Sequence, residues 1–181
     1  MNTLFIFIPV FVIICFFLLG GFSNSGKQIQ IGQKAPMFEL YNQYGELISL
    51  DEYLGKKVVI YFFPRTFTPG WTKQACGFRD KYHIYKENNI EIIGISYSSS
   101  SNHKEFSDKY SLKFQMLSDS EKKVATLYGV NSFFFPQRVT FLIDEKGIVF
   151  DVVKNISLDN YGESIIKKFK INSRSQPNVE K

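Results

Sequence analysis

Residues 58–63 read Val-Val-Ile-Tyr-Phe-Phe, an unbroken apolar run rich in β-branched and aromatic side chains. So short and dry a run predicts a strand buried on both faces. Residues 90–96 have the same character and predict a second buried strand, followed by a Ser-rich stretch. Between the two, the period changes. Ala75, Phe78, Tyr82 and Tyr85 recur at helical spacing, which predicts a helix over 72–87 that stops at Asn88-Asn89. Shorter helices are expected over 102–110 and 122–128. Residues 139–143 and 148–153 flank a turn at 144–147 and predict a β-hairpin, and 160–169 closes the pattern with an amphipathic helix. Upstream, 38–40 and 47–50 flank a turn at 42–45 and suggest a small N-terminal hairpin. Strands that alternate with helices and end in a hairpin and a helix argue for an α/β sandwich around a central mixed sheet. In such folds ligands favour the loops beyond the carboxyl ends of the strands, so the segment after residue 63 is the first place to look for chemistry.

The N-terminus follows a different pattern. Residues 4–22 are apolar apart from Pro9, Gly20 and Gly21, and no charged side chain precedes Lys27. The run reads as a signal peptide, with Gly21 and Ser23 flanking a cleavage site, or as an uncleaved membrane anchor. Either reading sends the protein to an exported, organellar or membrane-anchored location. The expected organisation is a leader over 1–26, one domain over 27–171 and a polar tail over 172–181.

Composition narrows the function. The chain has 181 residues, a net charge of +5, two Cys and one Trp. Two Cys exclude a disulfide-framework mini-protein and a Cys-rich zinc module. Cys15 lies in the leader, so Cys76 is the cysteine of the domain. The cations are scattered, which argues for a solvated surface and against a nucleic-acid partner. His83 and His103 fit neither a triad nor a metal-ligand spacing and are expected at the surface. Arg79-Asp80 is expected to pair on a helix face. The run Phe133-Phe134-Phe135 reads as core filling, a pocket wall or a partner surface. Asn155-Ile156-Ser157 is a glycosylation sequon. Alanine is confined to Ala35, Ala75 and Ala125 while Phe, Ile, Asn, Lys and Tyr abound, which suggests AT-rich coding DNA.

The loop and helix after the first buried strand read Phe63-Pro64-Arg65-Thr66-Phe67-Thr68-Pro69-Gly70-Trp71-Thr72-Lys73-Gln74-Ala75-Cys76-Gly77-Phe78-Arg79-Asp80. This segment resembles the active-site segment of peroxiredoxins, in particular the peroxiredoxin Q or bacterioferritin comigratory protein type. The resemblance continues through Gly94-Ile95-Ser96, Leu117-Ser118-Asp119 and the stretch from Arg138 to Asp144. It implies a thioredoxin-like fold and thioredoxin-dependent reduction of hydrogen peroxide and organic hydroperoxides, with no cofactor. The implied partners are the peroxide and a thioredoxin-type reductant, and the implied state is a monomer. Pro64 and Thr68 match the family pattern P-x-x-x-T-x-x-C, with Pro69 and Gly70 beside them in the pocket. Arg138 matches the active-site arginine and Cys76 the resolving cysteine. The last pattern position, that of the peroxidatic cysteine, is Trp71.

A thiolate at that position would face the unpaired amides and positive dipole end of the helix. An indole has one N–H donor and no nucleophilic lone pair at neutral pH. Three readings follow. The domain is catalytically silent and acts as a binding or scaffold module. Alternatively, residue 71 is selenocysteine specified by a UGA codon, a reading supported by the single Trp and the AT-rich composition. In the third reading Cys76 is the nucleophile, although it stands five residues further along the helix and beyond the reach of the dipole.

Overall fold

The computed structural model describes residues 27–67, 69–154 and 157–175, excluding the side chains of residues 174 and 175. The leader, Thr68, the Asn155-Ile156 part of the sequon and residues 176–181 lie outside the described residues. The strands are β1 (Glu39–Tyr41), β2 (Leu47–Ser49), β3 (Lys57–Phe62), β4 (Ile90–Ser96), β5 (Gln115–Ser118), β6 (Val139–Ile143) and β7 (Val149–Val153). The α-helices are α1 (Pro69–Asp80), α2 (Tyr82–Glu87), α3 (Ser100–Tyr110), α4 (Lys123–Leu127) and α5 (Tyr161–Ser175). A short 3-10 turn, Leu50–Tyr53, follows β2.

The seven strands form one mixed sheet in the order β2-β1-β5-β4-β3-β6-β7. β3, β4 and β5 run parallel, while β6 runs antiparallel to β3. The architecture is the α/β sandwich around a mixed sheet expected from the alternation of strands and helices, in the thioredoxin-like form that the resemblance implies. Period-2 alternation in β3 divides the core. Val58, Ile60 and Phe62 enter one apolar cluster, with Phe141, Tyr128 and the α4 residues Val124 and Ala125. Val59, Tyr61 and Phe63 enter the other, beneath Phe78 of α1, Tyr85 of α2, Phe106 of α3 and Ile165 of α5. Gly94 faces Tyr61 across the β3–β4 pairing, and a Cβ there would stand 2.7 Å from the Tyr61 ring. The strand therefore needs a residue without a side chain at that point.

Several motif residues hold the loops. The buried Asp119 carboxylate accepts from the amides of Val124 and Ala125 at 3.2 and 2.8 Å and so satisfies the start of α4. Asp144 accepts from the amides of Lys146 and Ile148 in the β6–β7 turn.

The helix expected over 72–87 is two helices. It starts earlier, at Pro69, because proline's fixed φ and missing N–H suit a first turn. It breaks at Lys81 (φ −108°, ψ 9°), beyond which Tyr85 packs edge-on against Phe78 and its hydroxyl donates to the Gly162 carbonyl at 2.6 Å. α5 runs past residue 169 to Ser175. His103 is fully buried, not at the surface: its Nε2 meets the Ser96 hydroxyl at 2.8 Å and its ring packs on Phe63. His83 is exposed, as expected. The three phenylalanines 133–135 do not fill the core; they are 82, 72 and 42% exposed. Among the described residues, no helix is long and apolar enough to cross a membrane.

Candidate functional site

Strand register builds the site. Phe62, the last residue of β3, pairs with Val139, the first of the antiparallel β6. Arg138 therefore emerges at the same end of the sheet as the loop that leaves β3 and opens α1. That loop runs through Pro64, which is half-buried, and Phe67, which takes a left-handed φ of 64° and packs edge-on against Phe106. α1 then begins at Pro69 and Gly70, and Trp71 follows in its first turn.

The sheet thus brings together residues 67 positions apart. The Arg138 guanidinium carbon lies 3.6 Å from the centre of the Trp71 ring, stacked on the indole. One guanidinium nitrogen stands 3.3 Å from the point where a side chain at Gly70 would begin, so the arginine sits close over the start of the helix. Arg138 is half-buried, and loss of solvent lowers its pKa; the Tyr161 hydroxyl acts in the opposite direction. Trp71 is half-buried and packs against the cluster under α1.

Cys76 is not part of this contact. It is half-buried about one turn and a half beyond Trp71 on α1, beside a groove of about 330 Å³ that includes Lys73, Asp80, Asp159 and Glu163. Burial pushes its thiol above the ordinary value; Arg79 pulls it down and Asp80 pushes it up. That is the environment of an unactivated thiol. Arg79 pairs with Asp80 at 2.8 Å and also donates to the Tyr110 carbonyl, which ties α1 to α3.

Two buried residues, one on α1 and one on α5, have no signal in the sequence. Tyr161, at the start of α5, exchanges a 2.7 Å hydrogen bond with Thr140 of β6. Gln74, on the buried side of α1, is fully shielded from solvent. The partner of Tyr161 is distant along the chain, so no local spacing marks it. Among the described residues, no group of three or more His, Cys, Asp or Glu side chains gathers as a metal site.

Comparison with known proteins gives a consistent result. The AhpC/TSA family model matches residues 31–152. A putative peroxiredoxin bcp of Coxiella burnetii is 40% identical over 146 residues, covering 76% of this chain and 97% of that protein. A chloroplastic peroxiredoxin Q of Triticum aestivum is 44% identical over 131 residues, 71% of this chain; the chain spans only 60% of that relative's length. Among solved structures, the peroxidoxin BcpB of Mycobacterium tuberculosis superposes with a TM-score of 0.75 at 30% identity, covering 80% of this chain and 98% of that one. PrxQ of Xylella fastidiosa, at 22% identity, shares the fold with a TM-score of 0.77 over 82% of this chain and 99% of its own. With the match over most of the domain and the thioredoxin-like sheet beneath it, the chain belongs to the AhpC/TSA family, among its peroxiredoxins of the Q/bcp type.

Proposed function

We propose that this peroxiredoxin, as its sequence is written, has a peroxide site closed by Trp71 and serves as a binding or scaffold module rather than as a peroxidase. The observation that carries the reading is the Arg138–Trp71 stack. In the family's chemistry, thioredoxin-dependent reduction of a peroxide, a cysteine thiolate attacks one peroxide oxygen. The S–O bond forms, the O–O bond breaks, and the second oxygen leaves as an alkoxide or hydroxide that takes up a proton. The resulting sulfenic acid condenses with a second thiol, releasing water and leaving a disulfide that a thioredoxin-type dithiol reduces by exchange. At residue 71 the nucleophile would stand at the dipole end of α1, with Pro64, Pro69 and Gly70 shaping the pocket and Thr68 helping Arg138 to hold the peroxide. Arg138 would stabilise charge on the leaving oxygen, and Cys76 would serve as the resolving thiol. In this chain the indole lies under Arg138 instead and supplies no electron pair for the attack. Burial, which raises the Cys76 pKa, and the distance of Cys76 from the helix start argue against its taking over.

Peroxide turnover with thioredoxin, thioredoxin reductase and NADPH tests this reading. The chain with Trp at 71 should show no enzyme-dependent turnover, and the Trp71→Cys variant should gain it. In that variant, Arg138→Gln should lower the rate by about 100-fold, the usual loss for one electrostatic stabiliser. Adding Cys76→Ser should leave one sulfenic acid equivalent per chain and stop steady-state turnover. Turnover by a chain verified by mass to carry Trp71 would overturn the silent reading.

A second reading is favoured by one observation. The single Trp of the chain stands in the first turn of α1 under the arginine, where this chemistry puts its nucleophile. If the codon at 71 is UGA, selenocysteine there makes an active peroxidase. The codon itself, and selenium in the intact mass of the native protein, decide between the two readings. We further read the apolar run 4–22 as an uncleaved membrane anchor that holds the domain at a bilayer.

A further inference from the structure

We propose that the loop carrying Phe133, Phe134 and Phe135 docks onto the lipid bilayer, seating its rings at the headgroup boundary. This rests on the anchor reading of 4–22. The three rings are exposed, and they contact one another: Phe133 and Phe134 meet edge-on at 4.7 Å, and Phe134 and Phe135 lie 6.4 Å apart. They do not hang from a loose chain. At the base of the loop, the Tyr97 hydroxyl donates to Asn131 at 2.7 Å and the Gln137 amide donates to the Val130 carbonyl at 2.8 Å. The Ser132 hydroxyl donates to the Phe135 carbonyl, and Pro136 is buried. The Phe133 and Phe135 carbonyls thus accept from side chains of the protein, Lys122 and Ser132, while the aromatic rings stand exposed to solvent. That arrangement suits an interface that receives apolar rings and offers the backbone nothing in return.

The start of the domain says which surface lies opposite. The Ile29 amide donates to the Tyr128 carbonyl at 3.4 Å, two residues before Val130, where the loop leaves the core. From Phe22, the end of the apolar run, to Ile29 is seven residues, a reach of at most about 25 Å. A domain of this size is about 35–40 Å across, more than the tether can reach, so an anchored chain cannot turn the Tyr128 corner, with the loop beside it, to the far side of the domain from the bilayer. Exposed Ile31 and Leu127 are chain neighbours of that contact and extend the apolar corner.

Charge agrees with lipid. From Lys122 to Arg138 the chain has no acidic residue, and Lys27 stands at the head of the tether. Lys122 donates to the Phe133 carbonyl at 2.7 Å and lies over the Phe133 and Tyr97 rings, a cation placed at the edge of an aromatic patch. Glu121, the nearest acid in sequence, is paired with Lys123. A second copy of the chain fits less well. Three partly exposed rings offer a few hundred Å², short of the about 800 Å² per partner of a stable dimer.

The test uses the full chain reconstituted into phosphatidylcholine vesicles with a minor share of phosphatidylglycerol, with and without brominated phosphatidylcholine. Phe134→Trp places a reporter on the loop, and the parent chain gives the Trp71 background. Ile171→Trp is the control. The neighbouring Ser173 hydroxyl contacts Lys57, at the amino end of β3, which is the opposite end of the sheet from Arg138. The expected result is co-sedimentation of every chain, with a blue shift and loss of most of the added emission for Phe134→Trp alone. Co-sedimentation with a Phe134→Trp signal quenched by aqueous iodide and not by bromolipid overturns the docking and leaves the anchor standing. Chains that stay in solution overturn the anchor and the docking together. Equal bromolipid quenching of Ile171→Trp means general adhesion and overturns the proposal. So does a detergent-solubilised dimer that a Phe133→Ser, Phe134→Ser chain loses.

Discussion

His103 has a titration behaviour that its sequence context hides. Burial lowers its pKa from 6.5 to about 4, with the Met116 backbone acting weakly the other way. Between those values the unfolded chain takes up a proton that the folded one refuses. Stability is therefore fully present above about pH 6.5 and falls as the pH drops toward 4, by about 3 kcal/mol in all from this residue. Urea unfolding from pH 7 to 4 should show that acid limb in the parent chain. His103→Gln, which cannot titrate, should flatten it even if it costs stability at every pH; an unchanged limb would assign it to other groups. Trp71 and Arg138 form the other pair decided at this scale. Arg138→Gln removes the stacked cation, and chemical denaturation should register a loss of about 1 kcal/mol with a change in Trp71 emission. Nothing in the spacing of these residues shows the contact. The motif places Trp71 at the start of a helix and Arg138 before a strand, and only the β3–β6 register brings them together.

At the scale of elements, β3, β4 and β6 were legible because each is a short run rich in β-branched or aromatic residues, whereas β5, Gln-Met-Leu-Ser, has no such run and was not foreseen. Nor was the break at Lys81. Phe78, Tyr82 and Tyr85 keep one helical period across it, and the interruption is made by packing against α5. The exposure of Phe133–Phe135 was equally hidden, since an apolar triplet reads the same whether it faces the core or the solvent. α1 and α5 approach each other closely at Gly77 and Gly162. A Cβ on Gly162 would stand 2.2 Å from the Gly77 carbonyl oxygen, so backbone meets backbone with no room for a methyl group. Gly162→Ala should cost about 1–3 kcal/mol or more, because the helices must separate and the Tyr85 hydrogen bond to residue 162 goes with them. Thermal unfolding measures this; a melting temperature unchanged by the substitution would mean that α5 shifts freely.

For the whole molecule, the two apolar clusters share one sheet. Alternate residues of β3 belong to opposite clusters, as do Phe141 and Leu142 of β6, so neither side can melt while the other keeps its strands. Unfolding of the domain should therefore be a single cooperative transition. Trp71 emission follows the α1 face, and far-ultraviolet circular dichroism follows the whole backbone. Their denaturation curves should coincide. An early Trp71 transition would mean that α1 detaches from an intact sheet.

In mechanical terms, α1 is a beam held at both ends. Its far half is clamped where Gly77 meets Gly162, and Cys76 sits at the fulcrum. Its near end is held by the Lys73–Asp159 ion pair and by Trp71 packed on the core. Five residues of helix separate positions 71 and 76 by about 7.5 Å of rise. A disulfide tolerates Cα atoms no more than about 6.8 Å apart, so a bond between those positions requires the near end to uncoil while the fulcrum stays put. Trp71, wedged beneath Arg138, props that end. On the silent reading proposed above, Trp71 would thereby also stiffen the part of the helix that forming such a bond would have to move.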